Sequence, residues 1–469
     1  MLVKESKLKK FVSWFLKSPA RVIVCSFLLV IAIGTFLLSL PISHQEGVYF
    51  SVFDALFTTV SATCVTGLIV ADTGTSLSVF GKVVLICLIQ VGGLGLVTIT
   101  SFFYNIFRRK IELRAKRLAQ ESSSSFSLSE LPNLLKTIVG VTFVFEFTGG
   151  VILSTQYVPL FGWAPGIGRA FFHSISAFCN AGFDVLGDTQ FGPFCSLTGF
   201  NNNPVVLITT GMLIVFGGLG FIVWGDIINF FTKKSEFRTH SKIMIKLTVL
   251  LILIGTISFL VFEWSNTSDG SIGTMSLPEK LVTAFFESVS LRTAGFSSVN
   301  LSNLTDTSKA MSCILMFIGT GSGSTGGGIK ITTMAVLVFS VFSELRGNSQ
   351  TVIEKSIVTK ALVTKALAIF FSGLTIVAVL AFILSITERA ALDSGQISFL
   401  DLIYEATSAF GTVGDSSANT PTLSSLGQLF IIPAMFFGRI GPITLALSLA
   451  IKEQKNVSVV YPEARIHIG

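Results

Sequence analysis

The chain has 469 residues, 51% of them apolar and only 13% charged. Soluble domains carry about 25% charged residues, so a soluble enzyme with a large core is excluded and an all-α polytopic membrane protein is expected. The net charge of +7 is no nucleic-acid footprint, because 25 of the 33 Lys and Arg fall in five clusters, at 4–21, 108–136, 233–246, 346–365 and 452–465.

By the positive-inside rule these clusters mark the cytoplasmic face. Both termini are then cytoplasmic, with an even number of spans between consecutive clusters. The first cluster leads into an almost uncharged run, 22–40. A span takes about 20 residues, and the run is too long for a signal peptide and lacks a small-x-small cleavage site. It reads as a retained first transmembrane helix.

Next comes a short amphipathic segment, "FDALFTTVSATCVTGL", ending at Gly67, and then a glycine-rich apolar run, "LIQVGGLGLVTIT" (88–100). This layout recurs three times. The second unit has "GRAFFHSISAFCNAGF" with Gly182, then "IVFGGLGFIVWGD" (214–226); the third has "VTAFFESVSLRTAGF" with Gly295, then "FIGTGSGSTGGGIKITT" (317–333). The fourth has "LIYEATSAFGTVGD" with Gly414, then "MFFGRIGPITLAL" (435–447). Ser61, Ser176 and Ser408 lie six positions before their glycines and Ser290 five, so the third copy is one residue shorter. The expected units are 1–107, 108–232, 233–343 and 344–469.

The short segments cannot span. Helical at first, each ends in residues poorly suited to a helix: Val65-Thr66-Gly67, Asn180-Ala181-Gly182, Thr293-Ala294-Gly295 and Thr412-Val413-Gly414. A short helix followed by extended backbone at membrane depth is a re-entrant loop, tolerated only where it is buried or lines a water-filled cavity. Four such loops can converge their carbonyl oxygens on one axis, replacing the hydration shell of a monovalent cation. Glycine frees the backbone to aim them, and each short helix turns its negative C-terminal end toward the cation.

Glycines on the second apolar runs are explained by close helix packing, except in the third. There ten consecutive residues, 319–328, are only Gly, Ser or Thr. Gly321, Gly323 and Gly326 make a G-x-G-x-x-G, and Glu344 lies 18 residues past Gly326. A dinucleotide site needs a βαβ unit around that motif, whereas both flanks here read as halves of one span. Backbone unwound at membrane depth is the better reading.

Ionisable groups inside a membrane are candidate functional sites. Arg439 sits mid-span, as a positive barrier beneath a filter, as the partner of Glu146, or as both. Glu146 is expected to pair with a cation from a neighbouring helix. Arg292 is expected to hold loop carbonyls, and Lys330 to fix the glycine segment. The six cysteines are scattered without metal-ligand spacing, and the four histidines are dispersed, so no disulfide framework or metal site is expected. No nucleophile–base constellation is visible, and the chain is expected not to be an enzyme.

"SATCVTGL", "SAFCNAGF", "SLRTAGF" and "SAFGTVG", with "GSGSTGGGIK" and "GRIGP", resemble the Trk/Ktr/HKT superfamily of potassium transporters over residues 20–450. The resemblance implies four membrane–pore-loop–membrane units around one pore, with eight transmembrane helices and four re-entrant pore helices. It carries the filter glycines to Gly67, Gly182, Gly295 and Gly414, with K+ at them. Glycine at all four favours potassium over sodium. It makes 319–328 an intramembrane gating loop, carried by Gly319, Gly321, Gly323, Ser324, Thr325, Gly326, Gly327 and Gly328 with Lys330, and places Arg439 below the filter.

A single span before the first loop makes the chain similar to the Ktr type. That implies a homodimer in the cell membrane bound to a cytoplasmic ring of Rossmann-like regulatory (RCK-type) subunits, which hold ATP, ADP or NAD(H). The chain itself would bind no cofactor, and the ring would dock on the basic loops and on 343–356. Sodium coupling is common in that type, although no residue here shows it. The alternatives are a sodium-permeable or unselective cation pore of the same fold, an organic-solute transporter, which should show a twofold repeat, and a nucleotide-binding membrane enzyme resting on G-x-G-x-x-G alone.

Overall fold

The computed structural model describes residues 19–95, 131–348, 350–354, 356–442, 444 and 448. The basic clusters at 4–21 (but for its last residues), 108–136 (up to 130) and 452–465 lie outside the described residues, as does the 107/108 boundary. What is described is helical apart from loops and one small hairpin.

Among the described residues four helices are long and apolar enough to cross a membrane alone: α1 (Pro19–Leu38), α4 (Leu131–Phe161), α8 (Thr239–Glu263) and α12 (Lys360–Thr387). Their outer faces leave Leu28, Phe36, Phe143, Ile257 and Phe382 exposed. Such a continuous apolar surface suits lipid. After each comes a short helix: α2 (Val52–Cys64), α5 (Trp163–Phe178), α9 (Leu277–Ser290) and α13 (Phe399–Gly411).

The short helices start where the sequence supplies caps. Ser51 with Asp54, Ser276 with Glu279 and Ser398 with Asp401 form reciprocal capping boxes, satisfying backbone N–H groups at the helix start. The second begins instead at Gly162, whose φ is +82°. All four run inward and become fully buried toward their C-termini, as at Thr58–Cys64 and Tyr404–Gly411.

Among the described residues the helices of the expected second spans end or break at glycine. α3 (Val79–Leu94) stops at Gly95 and α14 (Ser425–Ile440) at Gly441, with φ +79° and +89°. α6 (Pro204–Gly218) and α7 (Phe221–Lys233) are bent by 93° around Gly220, whose φ is +94°. α10 (Asp306–Phe317) and α11 (Ile331–Leu345) are separated by 318–330. Positive φ is where glycine alone is unstrained, so the glycines read as packing residues also break the helix. They pack as well: a methyl on Gly92, Gly217 or Gly438 would strike the carbonyl oxygen of Thr63, Phe178 or Phe410 respectively.

Beyond α11 the chain forms a two-stranded antiparallel hairpin, β1 (Thr351–Ile353) and β2 (Ser356–Val358), which begins within the 343–356 stretch read above as a docking segment and extends past its end. G-x-G-x-x-G follows a helix and precedes another, with no βαβ unit around it.

Candidate functional site

The ends of the four short helices share one backbone construction. Val65, Asn180, Thr293 and Thr412, each two positions before its glycine, have φ of +58°, +58°, +68° and +51°. Gly67, Gly182, Gly295 and Gly414 have φ of +94°, +69°, +72° and +103°. The residues between, Thr66, Ala181, Ala294 and Val413, stay at negative φ. A chain alternating hand in this way turns successive carbonyls to one side, unlike a strand, in which they alternate. The left-handed conformation costs roughly 1–2 kcal/mol for a residue with a Cβ. Paying it four times, three of them on β-branched residues, marks a functional constraint.

One serine in each segment fixes the tip. The Ser61 and Ser408 hydroxyls accept from the Gly67 and Gly414 amides at 3.1 Å. Those of Ser176 and Ser290 accept from the next residue's amide, Phe183 at 3.0 Å and Phe296 at 2.9 Å. The amides of Thr66, Ala181 and Val413 bond the serine carbonyl five residues back, whereas Ala294 bonds one four back. The missing residue of the third copy is absorbed there.

The four tips close on each other. A methyl on Gly67 would lie 2.7 Å from the Ala181 carbonyl oxygen and 3.1 Å from Gly182 Cα. One on Gly182 would lie 2.6 Å from Ala294 O and 3.1 Å from Gly295 Cα. One on Gly295 would strike Val413 O, 2.9 Å from Gly414 Cα, and one on Gly414 would strike Thr66 O, 3.0 Å from Gly67 Cα. Each glycine therefore abuts the carbonyl preceding the next glycine, in the order 67, 182, 295, 414 and back to 67. No larger residue fits.

One side of the ring opens into a cavity of about 520 Å³ lined by all four glycines with Asp184, Asp415 and Asp269. Burial pushes the Asp184 carboxyl up to about 6, against an opposing bond from the Leu186 amide.

The other side of the ring is filled by 319–330. Methyls on Gly326 and Gly327 would strike the Thr293 and Thr412 hydroxyls of the ring segments. The Thr325 hydroxyl donates to Phe178 O or Asn180 Oδ1, both at 3.1 Å. Gly321 and Thr325 donate amides to Gly218 O and Gly217 O on α6, and Phe221 donates to Gly323 O. Gly319 to Ile329 O and Ile331 to Thr320 O close the neck of the loop. Lys330 Nζ donates to Gly326 O at 2.6 Å.

Arg439 donates to Thr325 O in this loop and to Gly92 O and Gly93 O on α3. The expected alternative of an Arg439–Glu146 pair is overturned. Glu146 accepts from Gln90 Nε2 at 3.2 Å and lies against Cys179 Sγ, so its expected cationic partner is an amide and a thiol instead. Carbonyl dipoles at a broken helix end, rather than a carboxylate, take the guanidinium. Arg292 also differs: it donates to Thr248 O on α8, not to the loop carbonyls.

Several features escaped the sequence reading. The capping boxes were readable as S-x-x-D/E. The left-handed residues, mainly Val and Thr, carry no composition signal. The buried pair Lys309–Asp401 (2.7 Å), which joins α10 to α13, would need the fold to be seen.

A family model described as "TrkH: Cation transport protein" matches residues 15–459. The chain is 38% identical over 463 residues to Ktr system potassium uptake protein B of Bacillus subtilis, covering 98% of this chain and 99% of that one. It is 40% identical to the protein of the same name in Vibrio alginolyticus, over 96% of this chain and 94% of the relative. It is 36% identical to the potassium/sodium uptake protein NtpJ of Enterococcus hirae, over 96% and 97%. The crystal structure of the potassium transporter TrkH from Vibrio parahaemolyticus matches with a TM-score of 0.70 and 18% identity, over 93% of this chain and 86% of that one. That likeness supports the fold.

Proposed function

We propose a potassium-uptake pore, because the chain belongs to the TrkH family of cation transport proteins and its four re-entrant tips close into a ring. The closed ring of Gly67, Gly182, Gly295 and Gly414 is the observation that carries the reading. A dehydrated K+ would pass along the inward carbonyls of Val65-Thr66-Gly67 and the three equivalent triplets, with the four short-helix C-termini adding favourable dipoles. Each broken second span and its long partner make one of four units around this axis, with both termini on the cytoplasmic side of the cell membrane.

The segment 319–328 would be the gate. It lies across the path immediately beyond the ring, tied by Lys330 and Arg439. Arg439 acts there as both latch and positive barrier. Its release is assigned to a cytoplasmic nucleotide-binding subunit, as the Ktr-system names of the relatives suggest, docking near the hairpin 351–358, with the pore itself a homodimer. Transport needs no chemistry from this chain, and the chain is not an enzyme.

The test is rescue of a bacterium lacking potassium uptake at low external potassium. Growth restored by the wild type and lost in variants of the ring glycines is expected. Uptake of sodium equal to that of potassium in reconstituted vesicles would replace this reading with a sodium-permeable pore, which the potassium/sodium name of the Enterococcus relative makes the second reading.

A further inference from the structure

The four tips are alike until the residue after each glycine. That residue is Leu68, Phe183 or Phe296 in the first three, each 0–1% exposed. In the fourth it is Asp415, also buried at 2% exposure. Both of its carboxylate oxygens lack any hydrogen-bond partner among the described residues.

The nearby donors are committed elsewhere. Ser416 donates to Glu405 at 2.7 Å, Thr420 also bonds Glu405, and Ser417 donates to Asp401 at 2.8 Å. Across from Asp415, within electrostatic reach, stand Glu287 on α9 and Tyr404 on α13. Glu287 Oε1 takes the Ser298 amide and hydroxyl at 2.7 Å, but Oε2 has no partner, and neither has the Tyr404 hydroxyl. The remaining titratable groups around Tyr404 are Cys313 and Glu405, and neither is cationic. An ionised carboxylate buried without a partner costs several kcal/mol, so Asp415 is neutralised either by a proton or by a cation from outside the described side chains.

We propose that Asp415 and Glu287, with the Tyr404 hydroxyl, form an alkali-cation site beside the outer mouth of the ring, between the third and fourth segments and off the fourfold axis. The donor set is all oxygen, which suits a hard cation. Among the described residues no group of three acidic or metal-ligating side chains gathers, so two carboxylates favour a monovalent ion over a divalent one. Asp415 also lines the 520 Å³ cavity above the ring, which gives the ion its entry. The proposal rests on reading the ring as an ion path, and makes that path asymmetric at its entrance.

Crystals of the full-length protein soaked in a thallium(I) salt test it by anomalous scattering. Peaks are expected along the ring and at the Asp415 carboxylate. Asp415→Asn should remove the second and keep the first. Ring peaks without an Asp415 peak, or a peak there that survives Asp415→Asn, overturn the site and leave the pore reading intact. An Asp415 peak without ring peaks upholds the site and overturns the pore reading.

A functional readout runs beside it, rubidium uptake by proteoliposomes. Asp415→Asn should raise the half-saturating concentration about tenfold while the maximal rate stays within about twofold. An unchanged half-saturation means that a shared proton neutralises the pair, and the proposal fails. Should Asp415→Asn not fold, Glu287→Gln carries the same test.

Discussion

Replacing Gly182 by serine tests the ring most directly. At φ +69° a residue with a Cβ loses about 1–2 kcal/mol from the backbone alone. Its Cβ would sit 2.6 Å from Ala294 O and 3.1 Å from Gly295 O, where ordinary contact begins at 3.4 Å. The Ala294 carbonyl must therefore recede by about 0.8 Å, and the Gly295 carbonyl by about 0.3 Å. Both belong to the neighbouring segment, so a change in the second repeat displaces ligands supplied by the third. Weakening one inward carbonyl in four by about 1–2 kcal/mol lowers cation affinity roughly 5- to 30-fold. Sodium, which holds its water more tightly and depends less on the carbonyl cage, should lose less. The assay is potassium and sodium uptake by proteoliposomes containing wild type or Gly182→Ser, matched for monodisperse protein. A fall in potassium preference of up to roughly 5- to 30-fold is expected. Unchanged affinity and unchanged selectivity would refute the ring as the filter.

Four further outcomes follow from the same geometry. Excising 321–327 removes Thr325 and both carbonyls that hold Lys330; potassium flux should rise and lose its dependence on the cytoplasmic subunit, and reduced flux in stably inserted protein would count against a gate. Arg439→Gln gives up the bonds to Thr325, Gly92 and Gly93; single-channel or flux measurements should show faster conduction, and slower conduction would disprove the barrier. Gly217→Ala drives a methyl into Phe178 O; thermal unfolding in detergent should show a loss of about 1–3 kcal/mol. Lys309→Met strands Asp401, costing about 3–5 kcal/mol, and the double variant with Asp401→Asn should recover much of that in the same unfolding measurement.

The parts of this molecule visible in its sequence were those written in composition and spacing. Composition gave the membrane class, and serine-to-glycine spacing gave the four tips, down to the shortened third copy that surfaces as the Ala294–Ser290 bond. What stayed hidden depended on partners far away in the chain. Arg439 reads as a candidate for Glu146 because opposite charges attract, but a broken helix offers uncompensated carbonyls nearer at hand, on Gly92, Gly93 and Thr325. That these helices end or break at glycine was readable only in the third second span. A single glycine in an apolar run looks the same whether it lets helices touch or adopts positive φ, and Gly95, Gly220 and Gly441 do the latter.

The deviations from fourfold likeness fall on either side of the ring rather than in it. Within the ring, one dihedral pattern and one serine anchor recur in every segment, the equivalence that a cation on the axis would require of its ligands. On one side, among the described residues, only the third second-span is unwound over thirteen residues, 318–330, and only the fourth supplies an arginine, the half-buried Arg439, to bind it. On the other side only the fourth tip ends in a carboxylate. A homotetrameric pore could not arrange this, since any residue placed at one tip would appear at all four. Four Asp415 equivalents would crowd like charges around one mouth, and four glycine loops would compete for the same space beneath it. Joining the repeats in one chain removes that constraint. It allows the ring to stay symmetric while a single loop packs against one side of it and, on the other, one tip alone carries a carboxylate next to its glycine.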